Sequence, residues 1–317
     1  MLTHGQRLAG TDSPSSSWVH RGCAGCLDDR MSTEWDERTE ASIVEAASFA
    51  EAPLPEAGER QLTRLTHPDD PRLTVETLLL RRDHPDLVVV LHGALVRKDT
   101  TLPRFEWLRT LRDRPENLLF VSDPSLAVDQ AIPLAWYIGP QEHDVTARLA
   151  DEVAALAGRL GTARTVFTGS SGGGYASLAL AARTPASLAV SFSPQTRVSR
   201  YEHMPVKIFR TRLFPEHADM DSVEAAHRDR VDLTHRWAAG PDQPDAFVRL
   251  VHNSGDPGHL EDHVQPFLRA AGVDPDAADG PRFSLVFDDF AQGHSPPRPA
   301  QMRDQLDAAL AWHDSVR

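Results

Sequence analysis

Several things are scarce in this sequence, and each shortage excludes a class of protein. Its 317 residues include two cysteines and two lysines, Lys98 and Lys207, and the formal charge is −13. The basic residues are nearly all arginines scattered among acids, so the patch needed to hold nucleic-acid phosphates or an anionic membrane surface is missing. Long apolar runs are missing too. The longest, residues 87–96, is broken by His92 and Gly93 and falls well short of the roughly 20 residues that span hydrocarbon. The N-terminus lacks the apolar segment of about 7–15 residues that marks a secretory signal. The chain therefore reads as a cytoplasmic protein with no membrane insertion and no nucleic-acid partner.

Cys23 and Cys26 form a lone CxxC with only His20 nearby. Structural zinc needs about four ligands, and no strand–helix pattern of the thioredoxin kind surrounds the pair. It receives no functional reading. Neither a dinucleotide fingerprint nor a metal-ligand cluster is present, so no cofactor and no metal are implied. Nothing in the sequence sets an oligomeric state.

A hydrophobic fraction of 40% supports a sizeable core, and α/β enzymes of roughly 250 residues commonly fold around one sheet. Residues 1–55 carry no sustained periodicity and are rich in Ser, Thr, Gly, Asp and Glu. They are expected to form a mobile tail with at most a short helix at 40–50. Met31 opens the acidic stretch MSTEWDERTE and is a second candidate start of translation. From Arg60 two alternating runs, RQLTRLT and RLTVETLLLRR, flank His67-Pro68-Asp69-Asp70-Pro71 and predict a β-hairpin.

Short apolar runs of the kind buried on both faces of a parallel sheet come next, at 87–92, 117–122, 165–170, 188–193, 247–252 and 283–288. Helices are expected between most of them. The clearest is Val145–Leu160, where Val145, Leu149, Val153, Leu156 and Leu160 recur at helical spacing. The others are expected at 176–183, 260–271 and 300–313. This alternation predicts an α/β fold: a doubly wound, mostly parallel sheet with an antiparallel edge hairpin, spanning 56–317. Residues 198–240 form an insertion of helical composition, placed to lie over the strand ends as a lid or cap.

Ligands in such sheets sit beyond the carboxyl ends of the strands, and four of those positions agree with one another. After TVFT comes Gly169-Ser170-Ser171-Gly172-Gly173 and then a helical segment. This is G-x-S-x-G in its strand–turn–helix setting, which presents Ser171 as a nucleophile at a helix N-terminus. A phosphate loop of the GxxxxGK[ST] type would need a lysine, and none is near. After LVVVLH comes Gly93-Ala94, expected to supply an oxyanion-hole amide from Ala94, or from Gly93 in its place, beside that of Gly172. His92 itself reads as a buried structural residue.

After FVRLVHNSG comes Asp256, in chain order the triad acid, with Asp262 as competitor. After FSLVFDDFAQ comes Gly293-His294-Ser295-Pro296-Pro297, where a stiffened loop would hold His294 as general base. His259 is the alternative base. Gln195 and Thr196, leaving a strand end beside the nucleophile, are candidates to line the substrate site. Trp136 and Tyr137 are candidates for its apolar wall, core packing being the competing role. Arg97 and Lys98, just after the Gly93-Ala94 loop, read as a solvated surface pair, contact with an anionic substrate being the competing role.

These residues resemble the α/β-hydrolase superfamily from about residue 60 to the end. Ser193-Pro194-Gln195-Thr196 is similar to an (N/S)PQT signature of hydrolase-like proteins linked to bacterial surface-polysaccharide loci. SDPSL (122–126), AWYIG (135–139) and GSSGGGYASL (169–178) also fit that group. The resemblance implies a serine esterase-like enzyme acting on a small-molecule or glycan-linked acyl substrate. Acyl transfer to a sugar or alcohol, and a non-catalytic accessory role in glycoconjugate biosynthesis, are its rivals.

Overall fold

The computed structural model describes residues 34–243, 245–276, 280 and 282–317. The CxxC and Met31 lie outside the described residues. The strands are β1 (Glu34–Asp36), β2 (Ala41–Ala46), β3 (Arg60–Leu65), β4 (Val75–Leu80), β5 (Asp86–Leu91), β6 (Asn117–Val121), β7 (Arg164–Ser170), β8 (Ser187–Phe192), β9 (Phe247–Asn253) and β10 (Phe283–Asp288). The helices are α1 (Leu108–Leu111), α2 (Val145–Leu160), α3 (Gly172–Ala181), α4 (His203–Leu213), α5 (Met220–Val231), α6 (Leu233–Ala238), α7 (Pro257–His259), α8 (Gln265–Ala270) and α9 (Pro299–Val316).

The strands make one sheet in the order β1-β2-β3-β4-β6-β5-β7-β8-β9-β10. From β6 to β10 every neighbouring pair is parallel. The predicted hairpin is there: β3 pairs antiparallel with β4, and β4 antiparallel with β6. Every residue of β5, β6, β7 and β8 is buried, because helices cover both faces and leave no solvent side to favour alternation. Along β5, Leu87, Val89 and Leu91 enter the core shared with α2 and α3. Val88 and Val90 enter a second core with Met302 and Leu306 of α9, as the two-residue period of a strand requires.

Helix α2 has the expected bounds. The Asp144 carboxylate caps it by accepting from Ala147 N at 2.9 Å, and Gly161 ends it with φ +68°, a left-handed conformation suited to glycine.

Two expectations need correction. The helix considered at 40–50 is strand β2, and the sheet reaches back to Glu34 rather than starting after residue 55. The segment ASIVEA carries β-branched Ile43 and Val44, and β3 would otherwise present an open hydrogen-bonding edge, which β2 fills in parallel register. The helix expected at 260–271 opens as a π-helical turn, Leu260–Val264, before α8.

Between β8 and β9 the insertion folds into α4, α5 and α6, and it is tied down. The Arg230 guanidinium donates to the carbonyls of Ile138, Gly139, Pro140, Gln141 and His143 at 2.7–3.3 Å. Leu233 N donates to Thr196 O at 2.8 Å. Among the described residues no helix is long and apolar enough to cross a membrane.

Candidate active site

Strand β7 and helix α3 meet at Ser171, whose φ of 58° and ψ of −116° are sterically strained for a side-chain-bearing residue. The turn holds that geometry because its neighbours are glycines. A Cβ on Gly169 would lie 2.7 Å from Leu91 O, and one on Gly173 only 2.6 Å from the same oxygen. Substituting either would push α3 off β5. Ser171 N donates to Phe192 O at 2.9 Å, which ties the elbow to β8.

Two loops converge on Ser171. His294, after β10, has Nε2 at 2.8 Å from Ser171 Oγ and Nδ1 at 2.9 Å from Asp256 Oδ2. Asp256, after β9, is buried and caps the turn α7. Asp262 is exposed on the π-helical turn. Fully buried Asn253 joins the two loops: its Nδ2 donates to Ala291 O and Gly293 O at 2.8 and 2.7 Å. Its Oδ1 accepts from Gly255 N and Phe290 N at 3.2 and 3.1 Å. Reading the sequence strand by strand missed Asn253, because an asparagine at a strand end carries no mark of the groups it bridges.

A cavity of about 240 Å³ opens beside Ser171, lined by Gly93, Ala94, Glu106, Tyr201, His294 and Pro296 among others. Gly172 opens α3, so its amide has no acceptor within the helix. Ala94 lies at the same cavity. The amide of the alternative donor, Gly93, is already engaged, donating to Glu106 Oε2 at 3.0 Å. Glu106 and Tyr201 both went unread in the sequence, Glu106 because it follows no strand end and Tyr201 because it belongs to the insertion.

The side of Ser171 turned away from this cavity is filled. Gln195 is fully buried, and its Nε2 lies 2.8 Å from Ser171 Oγ, 3.0 Å from His259 Nε2 and 3.4 Å from His294 Nε2. Trp136 donates its indole N–H to Gln195 Oε1 at 3.1 Å and packs edge-on against Tyr201 and Phe209. The remaining candidates are elsewhere. Tyr137 belongs to the core, where its hydroxyl donates to Val121 O and accepts from His92 N, both at 2.9 Å. Thr196 is tied to His263 through backbone and hydroxyl. His92 is structural as expected, its Nε2 accepting from Asp123 N at 3.0 Å. Arg97 departs from the surface reading: it is half-buried, with Nε and Nη1 lacking partners among the described residues.

Burial pushes the Asp256 carboxyl up, but the hydrogen bond from His294 and the proximity of His259 outweigh it and hold the group below the usual carboxylate range. His259 stacks on His294 with centroids 3.8 Å apart and planes 12° from parallel. Burial, and then repulsion by His294 and His263, lower its pKa to about 3, so it stays neutral. Burial lowers His263 to about 4. It raises Tyr201 to about 12 and Glu106 above the ordinary carboxyl value.

Among the described residues, Asp256, His259 and His294 offer ligand atoms within 4.8 Å of one another. Their geometry suits a metal poorly. Lone pairs lie in the ring planes, and two stacked planes direct them side by side rather than toward one ion. The carboxylate is an acceptor, and both Nδ1 atoms lie against its Oδ2, His259 at 3.2 Å and His294 at 2.9 Å.

No protein-family model matches the sequence, and no curated protein matches it either. Solved structures do match. The capsule O-acetyltransferase of Neisseria meningitidis serogroup A superposes with a TM-score of 0.52 at 13% identity, covering 74% of this chain and 90% of that one. An S-formylglutathione hydrolase from Agrobacterium tumefaciens gives 0.52 at 14% identity over 83% and 97%. Esterase B from Lactobacillus rhamnosis, inhibited by a tributyrin phosphonate, gives 0.52 at 13% identity over 84% and 89%. The likeness is one of fold: this chain has the α/β-hydrolase architecture.

Proposed function

We propose that the protein is a serine hydrolase that cleaves a carboxylic ester or thioester through an acyl-enzyme on Ser171. The observation that carries this reading is the hydrogen-bonded series Ser171–His294–Asp256, at 2.8 and 2.9 Å, on a strained elbow. His294 Nε2 takes the hydroxyl proton as Ser171 Oγ attacks the carbonyl carbon. The amides of Gly172 and Ala94 receive the negative charge on the carbonyl oxygen. Asp256 holds the His294 tautomer and offsets the charge of the imidazolium. His294 then passes its proton to the leaving group, and water repeats the cycle on the acyl-enzyme.

The cavity beside Ser171, at 240 Å³, is small even for a ligand site and favours a short acyl group. A second cleft of about 600 Å³ shares Glu106 and Pro296 with it and is lined by Arg38, Arg104, Arg109, Phe105 and Trp107. That cleft is the observation favouring a second reading, in which a hydroxyl of a polar, glycan-like acceptor replaces water. The SPQT resemblance and a capsule O-acetyltransferase among proteins of this fold agree with a glycan-linked acyl substrate.

A fluorophosphonate probe tests the reading. The parent protein is expected to label, and Ser171→Ala and His294→Ala to lose labelling by at least about 10³-fold. Product analysis with an added sugar acceptor separates transfer from hydrolysis. A folded parent that does not label would overturn the enzyme reading in favour of an accessory protein.

A further inference from the structure

Gln195 has no place in the mechanism above, yet it touches the reacting oxygen. Its orientation is dictated by its neighbours. An indole N–H can only donate, so the 3.1 Å contact with Trp136 Nε1 identifies the facing atom as Gln195 Oε1. The amide nitrogen must then face the other way, with its two N–H groups directed at Ser171 Oγ at 2.8 Å and His259 Nε2 at 3.0 Å. A neutral His259 must therefore accept at Nε2, which leaves its proton on Nδ1, the nitrogen 3.2 Å from Asp256 Oδ2. Every polar atom of the Gln195 side chain is thus paired in the resting protein, and the residue is fully buried.

Acylation breaks this balance. Once Ser171 Oγ is esterified, its lone pair is delocalised into the acyl carbonyl, and an ester alkoxy oxygen accepts hydrogen bonds poorly. One Gln195 N–H is then a buried donor with a weakened partner, a situation that costs free energy. Loss of the acyl group restores the partner. Water adds to the acyl carbon and gives a proton to His294. The bond from that carbon to Oγ breaks with its electron pair going to Oγ, and Oγ takes the proton back from His294. Through that collapse the Gln195 N–H strengthens toward the charge growing on Oγ.

We infer that Gln195, fixed by Trp136 and His259, is a catalytic donor to the nucleophile's own oxygen that destabilises the acyl-enzyme and speeds its breakdown. The inference rests on the assignment of Ser171 as nucleophile. It gives the second histidine a purpose: a neutral His259 holds the amide in place and leaves proton transfer to His294.

The test compares the parent with Gln195→Met, which keeps the side-chain length and removes both donors. Fluorophosphonate labelling reports attack by Ser171. Intact-mass time courses after a pulse of p-nitrophenyl acetate report the lifetime of acetylated Ser171. Gln195→Met is expected to label within about threefold of the parent rate and to lose its acetyl group about tenfold more slowly, the scale of one unsatisfied donor. Trp136→Phe, which frees the amide to turn over, is expected to slow the same step by a smaller factor. Equal loss of labelling and of deacetylation would overturn the proposal and leave Gln195 a packing residue, as would an unchanged acetyl lifetime. A parent that does not label would overturn the assignment of Ser171 itself, and this proposal with it.

Discussion

The loops after β9 and β10 each bring a histidine to the same carboxylate oxygen. His259 and His294 both place Nδ1 near Asp256 Oδ2, at 3.2 and 2.9 Å, and their rings lie nearly parallel. Residue type and acid partner are shared, so neither separates them. The difference lies in the outlook of the far nitrogen. His294 Nε2 faces Ser171 Oγ at the edge of an open cavity, where a proton can pass to and from substrate. His259 Nε2 faces a buried amide, and burial keeps it neutral. A histidine beside an acid is therefore not yet a general base; the second nitrogen must meet a group that gives up a proton.

Three substitutions probe this contrast. Asp256→Asn removes the anchor of both rings, and turnover of an ester such as p-nitrophenyl acetate is expected to fall by roughly 10³–10⁴-fold. An effect under tenfold would mean that the loops hold their histidines without it. Asn253→Ala removes the clamp between the loops while leaving both histidines in place. It is expected to cost on the order of 3 kcal/mol of stability through unpaired buried groups, read as a lower urea midpoint, together with a tenfold or greater loss of turnover. Unchanged turnover at lowered stability would show that the loops align independently.

His259→Phe keeps the stacked ring and removes its nitrogens, so turnover is expected to fall only severalfold. Its clearer mark is on acid stability. In the unfolded chain histidine takes up a proton near pH 6.5, whereas folded His259 and His263 stay neutral down to about 3 and 4. Their contribution is intact above pH 6.5 and declines as the pH falls through that window. Asp123, raised by burial to about 6, opposes this by losing its burial penalty on protonation. Urea midpoints between pH 7 and 4.5 should fall less steeply in His259→Phe than in the parent; an equal slope would mean that His259 is protonated in the native state.

Much of this molecule was legible residue by residue. The uninterrupted apolar runs predicted strands covered on both faces, and Val145–Leu160 was bounded correctly because Asp144 and Gly161 are local capping signals. Ser171, Asp256 and His294 could be read because each comes after a strand, and parallel strands deliver the residues beyond their carboxyl ends to one edge of the sheet. Strand β2 was not legible, since a six-residue segment near the sheet edge takes its conformation from the hydrogen bonds that β1 and β3 offer. The sequence left Tyr137 open between core and substrate wall, because burial of an aromatic residue depends on its neighbours.

Local periodicity and turn chemistry act over a few residues, and they were enough to set the parallel strands, the elbow and the chain order of serine, acid and histidine. Long-range packing had to choose which of two histidines faces the serine, and to bring Glu106 onto the Gly93 amide. It also set Gln195 between Trp136, His259 and Ser171, residues drawn from 136 to 259 along the chain. Those outcomes rest on distances of about 3 Å between remote segments, and hydrogen bonds that short are fixed only when every backbone element supporting them is in place.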